Sequence, residues 1–110
     1  MSEPRELAIA AEPEAVAFVQ QCAAMTSGAA PVAALIYGRF SDEVDDNFRV
    51  MVYESLDAAR RDFSDSILVR VPGMVPLLVE SRFLPIVAGK TMVLHSDVLE
   101  FRDGPLRSVT

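Results

Sequence analysis

The stretch SDSILVRVPGMVPLLVESRFLPIVAGK, residues 64–90, decides how this chain folds. Pro72, Gly73, Pro76 and Pro85 forbid one continuous helix across it, because a proline inside a helix removes a hydrogen bond and clashes with the preceding turn. We read it as broken helical pieces, the clearest at about 75–83, with Pro76 in the first turn. Gly89-Lys90 then turns into a last strand over 91–101, TMVLHSDVLEF, which holds the only histidine, His95.

Working outward, the earlier segments carry clearer signals. Residues 6–10, ELAIA, form a short apolar run and a first strand. Residues 11–28 read as a helix: Pro13 suits the first turn, Glu14 favours the positive N-terminal end, and Gly28 ends it. Val16, Val19, Cys22 or Ala23, and Met25 would line one stripe. PVAALIYGRF (31–40) and FRVMVYES (48–55) are two strands of a hairpin joined by the polar connection 41–47. Asp42, Glu43, Asp45 and Asp46 crowd that connection, but the glycine and terminal glutamate of a calcium loop are missing, so it reads as a solvated turn with no metal. Ser55 caps a helix that follows at once, LDAARRDF, with Asp57 in its first turn.

The order strand, helix, strand, strand, helix, strand predicts an α+β, ferredoxin-like βαββαβ domain. Its four-stranded antiparallel sheet would carry both helices on one face. A chain of 110 residues is one domain, 1–110, with 1–5 and 103–110 as frayed tails.

Composition removes several functions. Net charge is −6, with no Lys/Arg-rich run, which argues against a nucleic-acid partner and against docking on an anionic membrane. The lone Cys22 cannot form an internal disulfide and reads as a small buried hydrophobe. The polar start MSEPRE resembles no signal peptide and no apolar run is long enough to span a bilayer, so the cytoplasm is the expected location.

The strands alternate without a clean polar face. Phe48, Val50 and Val52 oppose Arg49, Met51 and Tyr53. Val32, Ala34, Ile36 and Phe40 oppose Ala33, Leu35, Tyr37 and Arg39. Met92, Leu94 and Val98 oppose Val93, His95, Asp97, Leu99 and Phe101. Helices on one face leave the other apolar face needing a cover, and a second copy of the sheet, a two-fold homodimer, would provide it.

FRVMVYESLDAARRDF (48–63) and EPEAVAFVQQCAAM (12–25) resemble the dimeric α+β barrel superfamily, and within it the antibiotic biosynthesis monooxygenase-like proteins. The resemblance implies a homodimer that binds a flat, mostly apolar or aromatic molecule between sheet and helices. It also implies cofactor-free oxidation of a polyketide-like phenol, or a related cyclisation or isomerisation. The haem-degrading branch relies on a tryptophan and a helical histidine; this chain has no Trp and its histidine lies on a strand, so no cofactor is expected.

On that footing His95 is the candidate general base, since its pKa can sit near neutrality, and Arg39 or Arg49 would stabilise the developing oxyanion. Tyr37, Tyr53, Met51 and Asp97 are the candidate substrate-binding residues, and Met25, Met51, Met74 and Met92 could line an adaptable cavity. The alternative is a non-catalytic dimeric module, a ligand carrier or structural partner, in which His95 sits at an edge or at the dimer seam, and the tyrosines and arginines serve packing and salt bridges.

Overall fold

The computed structural model describes residues 7–38, 46–95 and 98–103. Its elements run β1 (Leu7–Ala8), β2 (Ala10–Ala11), α1 (Pro13–Ala24), β3 (Val32–Gly38), β4 (Asn47–Tyr53), α2 (Leu56–Asp62), β5 (Ser66–Arg70), β6 (Leu77–Glu80), a 3-10 turn (Ser81–Phe83), α3 (Leu84–Val87), β7 (Lys90–His95) and β8 (Val98–Asp103). The hairpin strands and the Ser55-started helix stand where the sequence puts them, whereas the first helix is shorter than the expected 11–28, running Pro13–Ala24 and ending four residues before Gly28. The Ser55 hydroxyl accepts from the Ala58 N–H at 3.1 Å, satisfying one of the donors a helix start leaves open.

All eight strands join one mixed sheet in the order β1-β5-β6-β3-β4-β8-β7-β2. The two ends of that order belong to one extended segment. β1 runs parallel to β5 (Leu7 opposite Val69, Ala8 opposite Arg70), and β2 runs parallel to β7 (Ala10 opposite Thr91, Ala11 opposite Met92). Between them the Ile9 N–H donates to the Arg70 carbonyl at 3.1 Å, and beyond them the Glu12 N–H donates to the Met92 carbonyl at 2.9 Å. Leu7–Ala11 therefore laces both margins of the sheet together and nearly closes a barrel, which hides edges that would otherwise be open. The looser seam is between β4 and β8, registered at Phe48 opposite Leu99.

This overturns the four-stranded ferredoxin-like fold with helices on one face. Residues 64–90 contribute two strands in place of the helical pieces expected there. Ile67, Val69 and Val71 alternate with Leu68 and Arg70, a period-2 pattern rich in β-branched residues. Leu77, Leu78 and Val79 are all buried, so β6 shows no alternation, and such a run cannot be told from a buried helix by periodicity. Pro76 precedes β6 rather than starting a helix, and its carbonyl accepts the Ala33 N–H at 3.0 Å. Pro72 and Gly73 fall in the β5–β6 connection, Gly73 with φ +85°. Only Pro85 serves a helix start, in the single turn of α3.

The expected last strand is also two strands. β7 and β8 pair antiparallel from Lys90 opposite Asp103 to His95 opposite Val98. The doubling back brings Leu99 and Phe101 to the same side as Met92 and Leu94, where one continuous strand would have opposed them. Strand β8 also runs to Asp103, past the expected end at 101, whereas 1–6 and 104–110 lie outside the described residues.

The two main helices cover opposite faces. The larger core joins Ala15 and Val19 of α1 to Ala33, Leu35, Val69, Leu77, Val79, Met92 and Leu99. The smaller core joins Ala59 of α2 to Val32, Ala34 and Leu78, with Tyr53, Leu56, Phe63 and Leu68 packed around it. Neighbouring strand residues point to opposite sides, so α1 lies inside the curled sheet and α2 outside it. That placement explains why β3 is apolar on both faces: one chain buries both. The α1 stripe is Ala15, Val19 and Ala23; Val16 and Cys22 are half-buried, and Met25 is 83% exposed.

Candidate functional site

Among the described residues, the candidate catalytic and binding residues lie on two different faces of the sheet. Tyr37 shares the inner parity of Ala33 and Leu35, and its ring stacks 4.5 Å from Phe48 and 5.7 Å from Phe83. Arg49, Met51 and Tyr53 share the opposite parity on β4 and stand on the outer face, where Tyr53 packs against the α2 core. One pocket cannot take Tyr37 from inside and Arg49 and Tyr53 from outside. Met51 is 46% exposed. His95 ends β7 on the outer parity, opposed to the inward Met92 and Leu94, and is exposed. The outer side of the paired β8 carries Glu100 and Arg102, which form a 3.1 Å ion pair. Arg39, Asp97 and the acidic positions 42, 43 and 45 lie outside the described residues.

The tyrosine that makes a polar contact does so for structural ends. The Tyr53 hydroxyl donates to Asp62 Oδ2 at 2.7 Å, and its ring meets Phe63 edge-on at 6.1 Å. Burial, then the Asp62 hydrogen bond and charge, hold its proton so firmly that its pKa is pushed up to about 12. A phenol held that way is a poor general acid or base at neutral pH.

The concave site lies elsewhere, beside β5. An open cleft of about 680 Å³ runs along this strand and the connection to β6, a volume typical of small-molecule sites. Its floor is Ile67, Leu68 and Val69, Leu7 of β1 lies at one side, and Pro72, Gly73 and Met74 form the rim. Arg60, from the last turn of α2, and Arg70, at the end of β5, also line it. The site follows from the topology. β1 pairs only with Val69 and Arg70, so Ser66–Leu68 have no strand neighbour on that side among the described residues. The other side of β5 is fully paired, from Ser66 opposite Glu80 to Val69 opposite Leu77.

Second contacts hold this frame. The side chain of Gln20 on α1 accepts the Val75 N–H at 2.8 Å, tying the connection to the first helix. At the other end of β5, Ser81 is bound to Asp65 twice, N–H to carbonyl and hydroxyl to carboxylate, each at 2.9 Å. The Ser66 hydroxyl donates to the Phe63 carbonyl, which occupies its proton.

Of the four methionines expected to line a cavity, Met74 lines this one, Met92 is wholly buried in the larger core, and Met25 and Met51 are exposed. Sequence reasoning missed Arg60 and Arg70. The available signal was the alternation through Ile67, Val69 and Val71, which places Arg70 on the opposite parity as a charged residue at a strand end.

Among the described residues, no group of three or more His, Cys, Asp and Glu is arranged to hold a metal ion, and no helix is long and apolar enough to cross a membrane. No known protein-family model matches the chain, and no curated protein matches it in sequence.

Proposed function

We propose that this chain is a non-catalytic binding module that holds one small, partly apolar molecule in the cleft beside β5. The observation that supports this reading is the chemistry of the lining. Arg60 and Arg70 are the ionisable side chains among its described residues, and arginine does not give up its proton in proteins. Ser66 lacks a neighbouring base in that lining and already donates its proton to a carbonyl. A site for proton transfer or nucleophilic attack needs a group that titrates near the working pH or a base beside the nucleophile. A site for holding a ligand needs concavity, apolar walls and a few polar groups, which the cleft has.

The oxygenase reading placed its base at His95, on a strand whose residues do not line the cleft. The outer face of β3, one of the apolar faces from which a homodimer is expected, is covered by α2 of the same chain.

The test is a titration of the 15N-labelled protein with 1-octanol and with octanoate, followed by amide shifts. Saturable shifts centred on Ile67–Val69 and Gly73-Met74, with Glu100 and Arg102 unmoved, are the expected result. Absence of saturable shifts with both probes on a folded protein would sink the reading.

A further inference from the structure

We infer that Gln20 is the positioning residue of this cleft: from α1, its side-chain carbonyl holds the β5–β6 connection, residues 71–76, in the conformation that forms the rim. This rests on the binding-module reading and adds what governs the shape of the site.

The first support is which residue of the connection is held. Val71, Pro72, Gly73, Met74 and Pro76 all line the cleft, whereas Val75 is absent from the described lining. Val75 is the residue whose N–H turns to α1 and donates to Gln20 Oε1 at 2.8 Å. Gln20 is not part of the described lining either, so it acts on a ligand through the connection. The two partners are 55 residues apart in the chain, so the bond fixes a tertiary placement and not a local turn.

The second support is a contact one helical turn away. The Cβ position of Gly73 stands 3.7 Å from Val16 Cγ1. Val16 and Gln20 are four residues apart on α1 and therefore share a face of that helix. The buried stripe is the neighbouring one, Ala15, Val19 and Ala23. One stripe of α1 packs the core, and the next meets the connection at two points.

The third support is how the connection is otherwise restrained. Its ends are fixed: Val71 is 2% exposed, and the Pro76 carbonyl accepts the Ala33 N–H at 3.0 Å. Between them Pro72 has no N–H to donate. The Met74 N–H closes a turn on the Val71 carbonyl at 3.2 Å, a bond internal to the connection. Gly73 sits at φ +85°, and glycine crosses between positive and negative φ at little cost, so the turn can swing there. The bond from Val75 to Gln20 selects one setting of that turn. Without it, apparent affinity falls by the fraction of molecules whose rim is in place.

The experiment measures the dissociation constant of the tighter-binding of 1-octanol and octanoate, by amide shifts, on the wild-type chain, Gln20→Leu and Gln20→Glu. Leucine removes the acceptor with little change in helix propensity, and glutamate keeps an oxygen at the same reach. Gln20→Leu is expected to bind about fivefold more weakly, the loss of one neutral hydrogen bond, and to move the Val75 amide proton upfield. Gln20→Glu is expected to stay within about twofold of the wild-type affinity and to hold that proton in place. A lowered urea midpoint in Gln20→Leu with affinity unchanged would mark a merely structural bond; it overturns the inference and leaves the cleft as a binding site. Equal weakening in Gln20→Leu and Gln20→Glu does the same. No saturable binding of either probe to the folded wild-type chain overturns both. Hydrogen exchange on the unaltered protein decides the matter should Gln20→Leu fail to fold. Saturating probe is expected to slow exchange of the Val75 N–H, because coupling between two sites is reciprocal, and an unchanged rate overturns the inference.

Discussion

The Tyr53 hydroxyl on β4 donates to the carboxylate of Asp62 at the end of α2, at 2.7 Å. This bond closes the loop that Ser55 opens. One residue caps the start of the helix, and nine residues along from the tyrosine the other end is tied back to the strand. The helix is thereby fixed against the outer face of the sheet, and with it Arg60 at the cleft.

The bond makes a prediction about alkaline pH. In the unfolded chain Tyr53 titrates at its ordinary value near 10; in the fold its pKa is pushed up to about 12. A raised folded value means that the folded state holds the proton more tightly. The associated stability is complete below about pH 10 and is lost as pH rises through about 12. In a Tyr37→Phe variant, tyrosinate absorbance reports Tyr53 alone, and its midpoint is expected near 12; a midpoint near 10 in the folded protein would remove the claim.

Gly28 is expected to tolerate no side chain. Its φ is +123°, and a Cβ there would stand 2.6 Å from the Glu54 carbonyl oxygen, a backbone atom that cannot step aside cheaply. Gly89, at φ +76°, has nothing within 4 Å of the same position. Gly28→Ala should therefore lower unfolding free energy by about 2–3 kcal/mol, against about 1 kcal/mol for Gly89→Ala. Urea midpoints of the two variants make the comparison.

Leu78 tests whether the outer face is closed within one chain. It is 1% exposed and packs with Val32, Ala34 and Ala59 under α2. Leu78→Ala should cost about 2–5 kcal/mol, like other large-to-small changes in a closed core. A loss under about 1 kcal/mol would show that α2 covers the face only loosely.

The same cover bears on assembly. With α2 over β3 and Glu100 and Arg102 outward on β8, part of the outer face is covered or polar within one chain, while Met51 on β4 stays 46% exposed. Sedimentation at micromolar concentration is expected to give a mass of about 12.0 kDa. A mass of twice that would restore the dimer argued from strand patterning.

His95 should be dispensable for the cleft. It is exposed at the end of β7 and absent from the described lining. His95→Ala is expected to change stability by no more than about 0.5 kcal/mol and to leave octanoate affinity unchanged. A tenfold loss of affinity would tie the histidine to the site by a route the geometry does not offer.

What the sequence determined by itself is the part governed by near neighbours. Pro13 and Glu14 start α1, Ser55 starts α2 by capping Ala58, and the alternation in 31–40 and 48–55 makes the β3–β4 hairpin, registered from Val32 opposite Tyr53 to Gly38 opposite Asn47. Each of these signals acts within a turn of helix or across a short connection. The apolar character of both faces of β3 was also legible, but what covers the second face was not. Only the tertiary structure decided that α2 lies outside the sheet, that Leu77–Val79 is a strand buried on both sides, and that Leu7–Ala11 joins β5 to β7. Strand pairing is made between residues far apart in the chain, and a continuously apolar run fits a buried strand or a buried helix equally well until its neighbours are known. The cleft belongs to that second category: Arg60 and Arg70 line one cleft because β5 is a strand with an open stretch at Ser66–Leu68, and residues 64–90 reveal that only once β6 and β1 have taken their places beside it.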